Sequence, residues 1–408
     1  MNDFEAGLSA REHGIMQGFP PRPEQRINLA TWDHYPFNRW SFQNVRSVLP
    51  TRAVRHHPQT VRRLERADTD LGALNTPMPG GGFGPLAHLL PALDTDAFIV
   101  LKNRTVRFEA YWNDMNASTL HLSQSVSKSL VGALVGIQIG RGLIDPESPV
   151  ERYVPELAGC GYRGARVTDL LDMRSGIRFI EDYLDPDCEM GWLDRASGWK
   201  PIRPGDPQSV YDLVLRLRQD RPHGGRFKYR SIETDVLGWI LERSTGRHLC
   251  TLMEETLWQP MGAEADAAYT VDRAGTALGD GGLNASLRDY ARFGLLMIED
   301  GWREGVSIIP AEFVSECRHG DPSVFDDNER FARFPNACYS RQWWVLDQAR
   351  GISAALGIFG QMIYLDRANG LVIVFLSSWP APVDPARRGL QISTALAITE
   401  ALAGNMSR

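Results

Sequence analysis

The chain has 408 residues, 43% of them apolar and 23% charged, with 44 Lys and Arg against 50 Asp and Glu and a net charge of −6. That is an ordinary globular balance, long enough for one large or two modest domains around a sizeable core. It excludes a disordered or fibrous chain, and the mixed charges form no basic stripe of the kind nucleic-acid binders need.

The N-terminus, Met1-Asn2-Asp3-Phe4-Glu5, has no apolar segment of signal-peptide type, and no run approaches a membrane span. A cytoplasmic protein without membrane contact is expected. The first ninety residues are rich in Pro, Arg and aromatics (Trp32, Tyr35, Phe37, Trp40, Phe42) without periodicity. They read as an irregular arm that packs its aromatics on the body. Arg52, Arg55, Arg62 and Arg63 read as a solvated face, and Gly80-Gly81-Gly82-Phe83-Gly84 as a flexible loop.

From Asp96 the pattern changes. Ala97 to Leu101, the polar turn Lys102-Asn103-Arg104 and Thr105 to Tyr111 predict a β-hairpin. A helix follows, opening near Ser125. Residues from about 145 to 225 hold proline-punctuated short helices, including Val167 to Met173, without strand alternation. Thr234 to Arg243 predicts a helix. Gln361 to Leu365 and Leu371 to Leu376 flank Asn369-Gly370 and predict the clearest hairpin. An amphipathic helix from about Leu390 to Leu402 ends the pattern. Strands at both ends with helices between predict an α/β chain: an antiparallel sheet flanked by helices, with a helical insertion. The expected division is an arm over 1–90, an α/β domain over 91–145 and 226–408, and an inserted, mainly helical domain over 146–225.

The segment Ser125-Val126-Ser127-Lys128-Ser129 carries the chemistry. Four serines crowd at 123, 125, 127 and 129, and only Ser125 has a lysine three residues downstream. On a helix, i and i+3 share a face, so hydroxyl and ammonium meet. A serine hydroxyl needs a neighbour to take its proton, and a desolvated lysine with a lowered pKa can help. This Ser-x-x-Lys pattern is of the type used by β-lactamases and penicillin-binding proteins. Gly132, Ala133 and Gly136 suit a buried helix, whose N-terminal N–H groups would lie beside Ser125. The five scattered cysteines (160, 188, 250, 317, 338) form no Cys-x-x-Cys pair, and the nine histidines form no His-Glu-x-x-His. No metal, no cofactor and no disulfide framework is expected.

Further residues extend the pattern. Phe227-Lys228-Tyr229-Arg230-Ser231 stands where β-lactamase-fold hydrolases carry a tyrosine facing the serine. Pro36 to Trp40, Tyr153 to Gly159, Glu181-Asp182-Tyr183, Asp194 to Trp199, Thr234 to Leu237, Arg341 to Trp344 and Ser377 to Pro380 add to it. From about Trp32 to the C-terminus the chain resembles the 6-aminohexanoate-dimer (nylon-oligomer) hydrolases and carboxylesterases of the class C β-lactamase type. The resemblance implies a β-lactamase/transpeptidase-like fold, with the site in the cleft between the sheet domain and the helical one. It implies Ser125 as nucleophile, Lys128 as general base partner and Tyr229 as third catalytic residue. It also implies an oxyanion hole from the N–H groups of Ser125 and Ile358, and substrate contacts from Tyr183, Asp194, Trp344 and Asp280. Asp194 would meet a substrate ammonium, with a solvated acid beside Arg195 as its plain alternative.

Two departures bear on specificity. The strand Ala355-Leu356-Gly357-Ile358 lacks the cation that β-lactamases carry there, and Phe359 and Glu233 replace His and Asn near the cleft. The expected activity is hydrolysis of a linear amide, like a 6-aminohexanoate oligomer, through an acyl-enzyme. A carboxylesterase is the first alternative, ahead of a β-lactamase or a non-catalytic acyl-binding protein. Expected partners are a small-molecule amide or ester and at most a second copy in a homodimer. Lys128 is expected to lower the pKa of the Tyr229 phenol, since an opposite charge favours the phenolate.

Overall fold

The computed structural model describes residues 7–325, 331 and 333–403, so the N-terminal Met1-to-Glu5 stretch lies outside the described residues. Its centre is an eight-stranded sheet, in the order Cys338–Ser340, Trp343–Asp347, Ile352–Gly357, Gln361–Asp366, Leu371–Ser377, Thr95–Lys102, Thr105–Tyr111 and Glu65–Arg66. All neighbours are antiparallel except the last pair.

Both faces of the sheet are covered, which is why its central strands read as unbroken apolar runs. Side chains alternate between faces along a strand. Ile99, Leu101, Val372 and Val374 join the core with the Val126–Gly140 and Leu287–Ile298 helices. Phe98, Val100, Ile373 and Phe375 join Ile392, Ala395 and Ile398 of the Pro385–Ala403 helix.

The Val126–Gly140 helix is buried all round from Val126 to Gln138. Its small residues permit that: a β-carbon at Gly136 would come within 2.4 Å of the Phe313 ring. Such a helix is an interior element rather than an amphipathic surface one.

A second, four-stranded antiparallel sheet (Thr51–Val54, Ala267–Thr270, Leu283–Ser286, Leu120–Leu122) delivers the chain to Ser125. Between 146 and 225 the chain forms the short helices Val167–Leu171, Glu189–Ala196 and Val210–Arg216 plus isolated bridges.

Three expectations are corrected. The arm is partly regular, since Thr51–Val54 and Glu65–Arg66 pair into the two sheets, while Trp32 and Phe42 do pack into the body. Gly80 to Gly82 form the turn of a hairpin between Asn75–Pro77 and Phe83–Pro85, with φ of 79°, 100° and 80° that only glycine adopts freely. Arg62 is buried rather than solvated, and its guanidinium grips both Glu299 oxygens at 2.7 and 2.8 Å. The Asn369-Gly370 hairpin forms, but over four residues, and only Gly370 has a positive φ (58°).

Candidate active site

Ser125 stands at the N-terminal end of the buried helix, just after the Leu120–Leu122 strand. The turn into it is strained: Gln124 has φ 48°, a region costly for a non-glycine residue, by about 1–3 kcal/mol. Of the four serines, Ser125 alone faces a cavity. The Ser127 and Ser129 hydroxyls donate to the Gly279 and Gln342 carbonyls at 2.7 Å each, and Ser123 is buried.

Lys128 Nζ donates to Ser125 Oγ at 2.9 Å and to the Asp280 carbonyl, and lies 5.4 Å from the Tyr229 ring centroid. Tyr229 is fixed from behind by Trp344, stacked at 5.4 Å and 22°. Burial pulls Lys128 toward the neutral amine, but Tyr229, Asp280, Glu181 and Asp235 surround it and hold its pKa above the ordinary value. Burial likewise pushes the Tyr229 phenol up, and the Lys128 charge offsets only part of the rise. Both expectations of a lowered pKa are thus corrected. Desolvation dominates the phenol, and nearby acids outweigh it at the lysine. The resting pair is an ammonium beside a phenol.

Asp235 is buried under Lys128 and accepts the Asp280 N–H at 3.2 Å; burial and the Asp280 charge push it well up. Glu233 does not line the cleft. It is fully buried, bound by Ser175 and by Arg230 at 3.3 Å, and burial pushes it up to about 8.

Ser125 and Ile358 each line both cavities. Among the described residues neither N–H donates to a protein acceptor. Gly357 makes their approach possible, because a β-carbon there would stand 2.7 Å from the Ser123 carbonyl and 3.1 Å from Gln124 Cβ. Phe359, next to Ile358, is held at φ 57°.

Two cavities meet at Ser125. One of about 340 Å³ is lined by Asp33, Tyr183, Asp194, Lys200, Asp280 and Phe359 among others. The other, of about 670 Å³, is lined by Glu181, Tyr183, Tyr229, Trp344 and Arg388 among others. The four residues expected to contact substrate therefore all border the cleft, on two different walls.

Asp194 is not the partner of Arg195, which turns away to Asp206 at 2.7 Å. Enclosure pushes the Asp194 carboxyl up to about 8, aided by Asp33 and opposed by Lys200. Tyr183 donates to Glu181 at 2.6 Å, and the same carboxylate accepts from the Ser231 hydroxyl and N–H.

Sequence reasoning missed Asp33 and Lys200, an ion pair on the cavity wall, and Arg388. The strand at Gly357 carries no cation, yet the cavity does: Arg388 Nη2 donates to the Gly357 carbonyl at 2.7 Å. It arrives from the C-terminal helix, and no local motif announces it. Among the described residues no cluster of three or more His, Cys, Asp or Glu could hold a metal ion, and no helix is long and apolar enough to cross a membrane.

A serine on a buried helix, a lysine one turn on and a tyrosine over both define a class of hydrolase. The profile of the beta-lactamase family matches residues 90–396, and the chain belongs to that family of serine hydrolases. It is 40% identical to a 6-aminohexanoate-dimer hydrolase of Paenarthrobacter ureafaciens over 396 residues, 96% of this chain and 97% of that one. A Bacillus anthracis structure described provisionally as a 6-aminohexanoate-dimer hydrolase superposes with a TM-score of 0.86 at 27% identity, covering 95% of this chain and 99% of that chain. Esterase EstB of Burkholderia gladioli is 28% identical over 162 residues, 36% of this chain and 38% of its own.

Proposed function

We propose that the protein hydrolyses linear amides of the 6-aminohexanoate-oligomer type through an acyl-enzyme on Ser125. The observation that carries this reading is the Ser125 hydroxyl itself. It lies at the junction of two cavities, 2.9 Å from a buried lysine ammonium and under a tyrosine. The 40% identity to an amide hydrolase along almost the whole chain supports the substrate class.

The competent form has lost one proton from the Lys128–Tyr229 pair, which titrates as a unit. Ser125 Oγ attacks the carbonyl carbon while its proton passes to that pair. The carbonyl π electrons move onto oxygen, and the oxyanion accepts from the N–H groups of Ser125 and Ile358. On collapse the C–N bond breaks, and Tyr229 gives the leaving amine its proton. Water then attacks the ester carbonyl and passes a proton to the pair; on collapse the C–Oγ bond breaks, the pair returns that proton to Ser125 Oγ, and the acid leaves. An amino-terminal acyl portion fits the acid-lined smaller cavity, with its ammonium on Asp194. No step needs a metal or cofactor.

A carboxylesterase shares every group, and the local similarity to Esterase EstB favours it as the second reading. A panel of linear aminohexanoate dimer, p-nitrophenyl esters, short peptides and nitrocefin, assayed with wild type and Ser125→Ala, separates them. Turnover of the dimer, absent in Ser125→Ala, is expected. Ester turnover without dimer turnover would replace the amidase reading with the esterase one.

A further inference from the structure

The turn that follows the Gly357 edge is held at every carbonyl. Gly357 accepts from Arg388 Nη2 at 2.7 Å. Ile358 and Phe359 accept from Gln361 Nε2 at 3.4 and 3.2 Å, and Gly360 accepts from Gln391 Nε2 at 2.9 Å. The Phe359 N–H donates to the Pro382 carbonyl at 2.9 Å. Among the described residues the Ile358 N–H has no protein acceptor, and Ile358 lines both cavities. Gly357 packs close against Ser123 and Gln124, an approach that a β-carbon would block.

Arg388 is itself braced. Its Nη1 donates to the Gln361 carbonyl at 3.2 Å and to Gln391 Oε1 at 2.8 Å, and its guanidinium lies 5.0 Å from the Trp379 ring centroid. The Gly357 carbonyl it binds belongs to the same peptide unit as the Ile358 N–H. A charge-assisted hydrogen bond on a peptide oxygen draws electron density from the nitrogen and makes the N–H a stronger donor. The planar fork also fixes the peptide plane, which a point-charge ammonium does less well.

We infer that Arg388 is a positioning residue of the oxyanion hole, orienting and polarising the Gly357–Ile358 peptide so that its N–H meets the developing oxyanion. This rests on the reading of Ser125 as nucleophile and Ile358 as oxyanion donor. It also accounts for a cation beside Gly357 that comes from a helix rather than from the strand. A donor already aimed and polarised needs no rearrangement as negative charge develops on the carbonyl.

The test uses the full chain as wild type, Arg388→Gln and Arg388→Lys. Mass spectrometry of a fluorophosphonate adduct first reports whether Ser125 is labelled; labelling elsewhere would defeat the underlying reading, not this inference. With Ser125 labelled, kcat and KM are measured on a p-nitrophenyl ester. The acyl carbonyl stretch is then read by infrared difference spectroscopy on a slowly hydrolysed acyl-enzyme. Arg388→Gln is expected to lower kcat about tenfold, less than the 10²–10³ for deleting a donor outright. KM should stay within about twofold, and the carbonyl band should move to higher frequency. Arg388→Lys should show the same changes to a lesser degree. If the Gln variant does not fold, the Lys variant carries the test, because an ammonium keeps the charge but lacks the planar fork that fixes the Gly357–Ile358 peptide plane. A lowered melting temperature with wild-type kcat and an unmoved band would make Arg388 a merely structural brace and overturn the inference.

Discussion

The smaller cavity draws on the arm (Asp33, His34, Tyr35), the middle of the chain (Asp194, Lys200) and Asp280; the larger draws on Tyr229, Trp344 and the start of the C-terminal helix. The first is a carboxyl-rich wall in which Lys200 answers Asp33. The second is aromatic, with Arg388 at the Gly357 carbonyl. They share Ser125, Tyr183, Ile358 and Pro382. The difference teaches that the Ser125 hydroxyl sits where the cavities meet, while their remaining walls, Tyr229 among them, come from unrelated segments. The Ser125 end can therefore stay fixed while a wall changes.

The largest expected effect falls on both cavities alike. Ser125→Ala should remove turnover of every substrate, by about 10⁴-fold or more as for other nucleophile deletions. Ser123→Ala, Ser127→Ala and Ser129→Ala should keep fluorophosphonate labelling, since those hydroxyls face the core. Labelling that survives Ser125→Ala would break the assignment of the junction.

The aromatic cavity is tested by Tyr229→Phe. Amide hydrolysis should fall by about 10²–10⁴-fold, the usual worth of a general acid, and p-nitrophenyl ester hydrolysis by less, because a phenoxide leaves without a proton. Equal losses on both substrates would reduce Tyr229 to a structural partner of Trp344.

Asp194→Asn tests the acidic wall. The aminohexanoate dimer should lose about 1–3 kcal/mol in kcat/KM, the worth of a hydrogen bond to a charged group. Short neutral esters should be unchanged. Identical kinetics in wild type and variant on both substrates would leave Asp194 without a role in binding the ammonium.

The smallest effect is a pH dependence that separates the walls. The Asp194 pKa is raised to about 8, so the carboxylate forms as pH rises through that value. A substrate ammonium with a pKa near 10.4 stays charged over the same range. KM for the dimer should therefore fall between pH 6 and 8.5, by at most about tenfold per unit, and stay flat in Asp194→Asn. Kcat for a neutral ester should also rise toward alkaline pH, because Lys128 and Tyr229 are both raised and one of their protons must leave. A dimer KM that rises with pH would contradict the sign.

Much of this was written locally. The apolar run 97–101, the turn at Asn103-Arg104 and the Asn369-Gly370 hairpin announce strands that the sheet contains, because turn chemistry and strand burial act over a few residues. The Ser125–Lys128 contact is a helical i, i+3 spacing, so sequence alone sufficed to bring the two together. Strands such as Trp343–Asp347 and Ala267–Thr270 were not legible, since their pairing depends on partners that are distant in the chain.

What sequence by itself determined was the hairpins, the buried helix and the pairing of one serine with one lysine. Tertiary structure decided the electrostatics. Lys128 is raised because Tyr229, and then Asp280, Glu181 and Asp235 from separate segments, outweigh its burial, and Tyr229 is raised because burial strips the phenol of water. It also decided that Asp194 faces a cavity while Arg195 turns to Asp206, and that Arg388 reaches the Gly357 carbonyl from 31 residues away. A local motif fixes neighbours along the backbone, whereas a pKa or a polarised peptide depends on every charge and dipole folded around it.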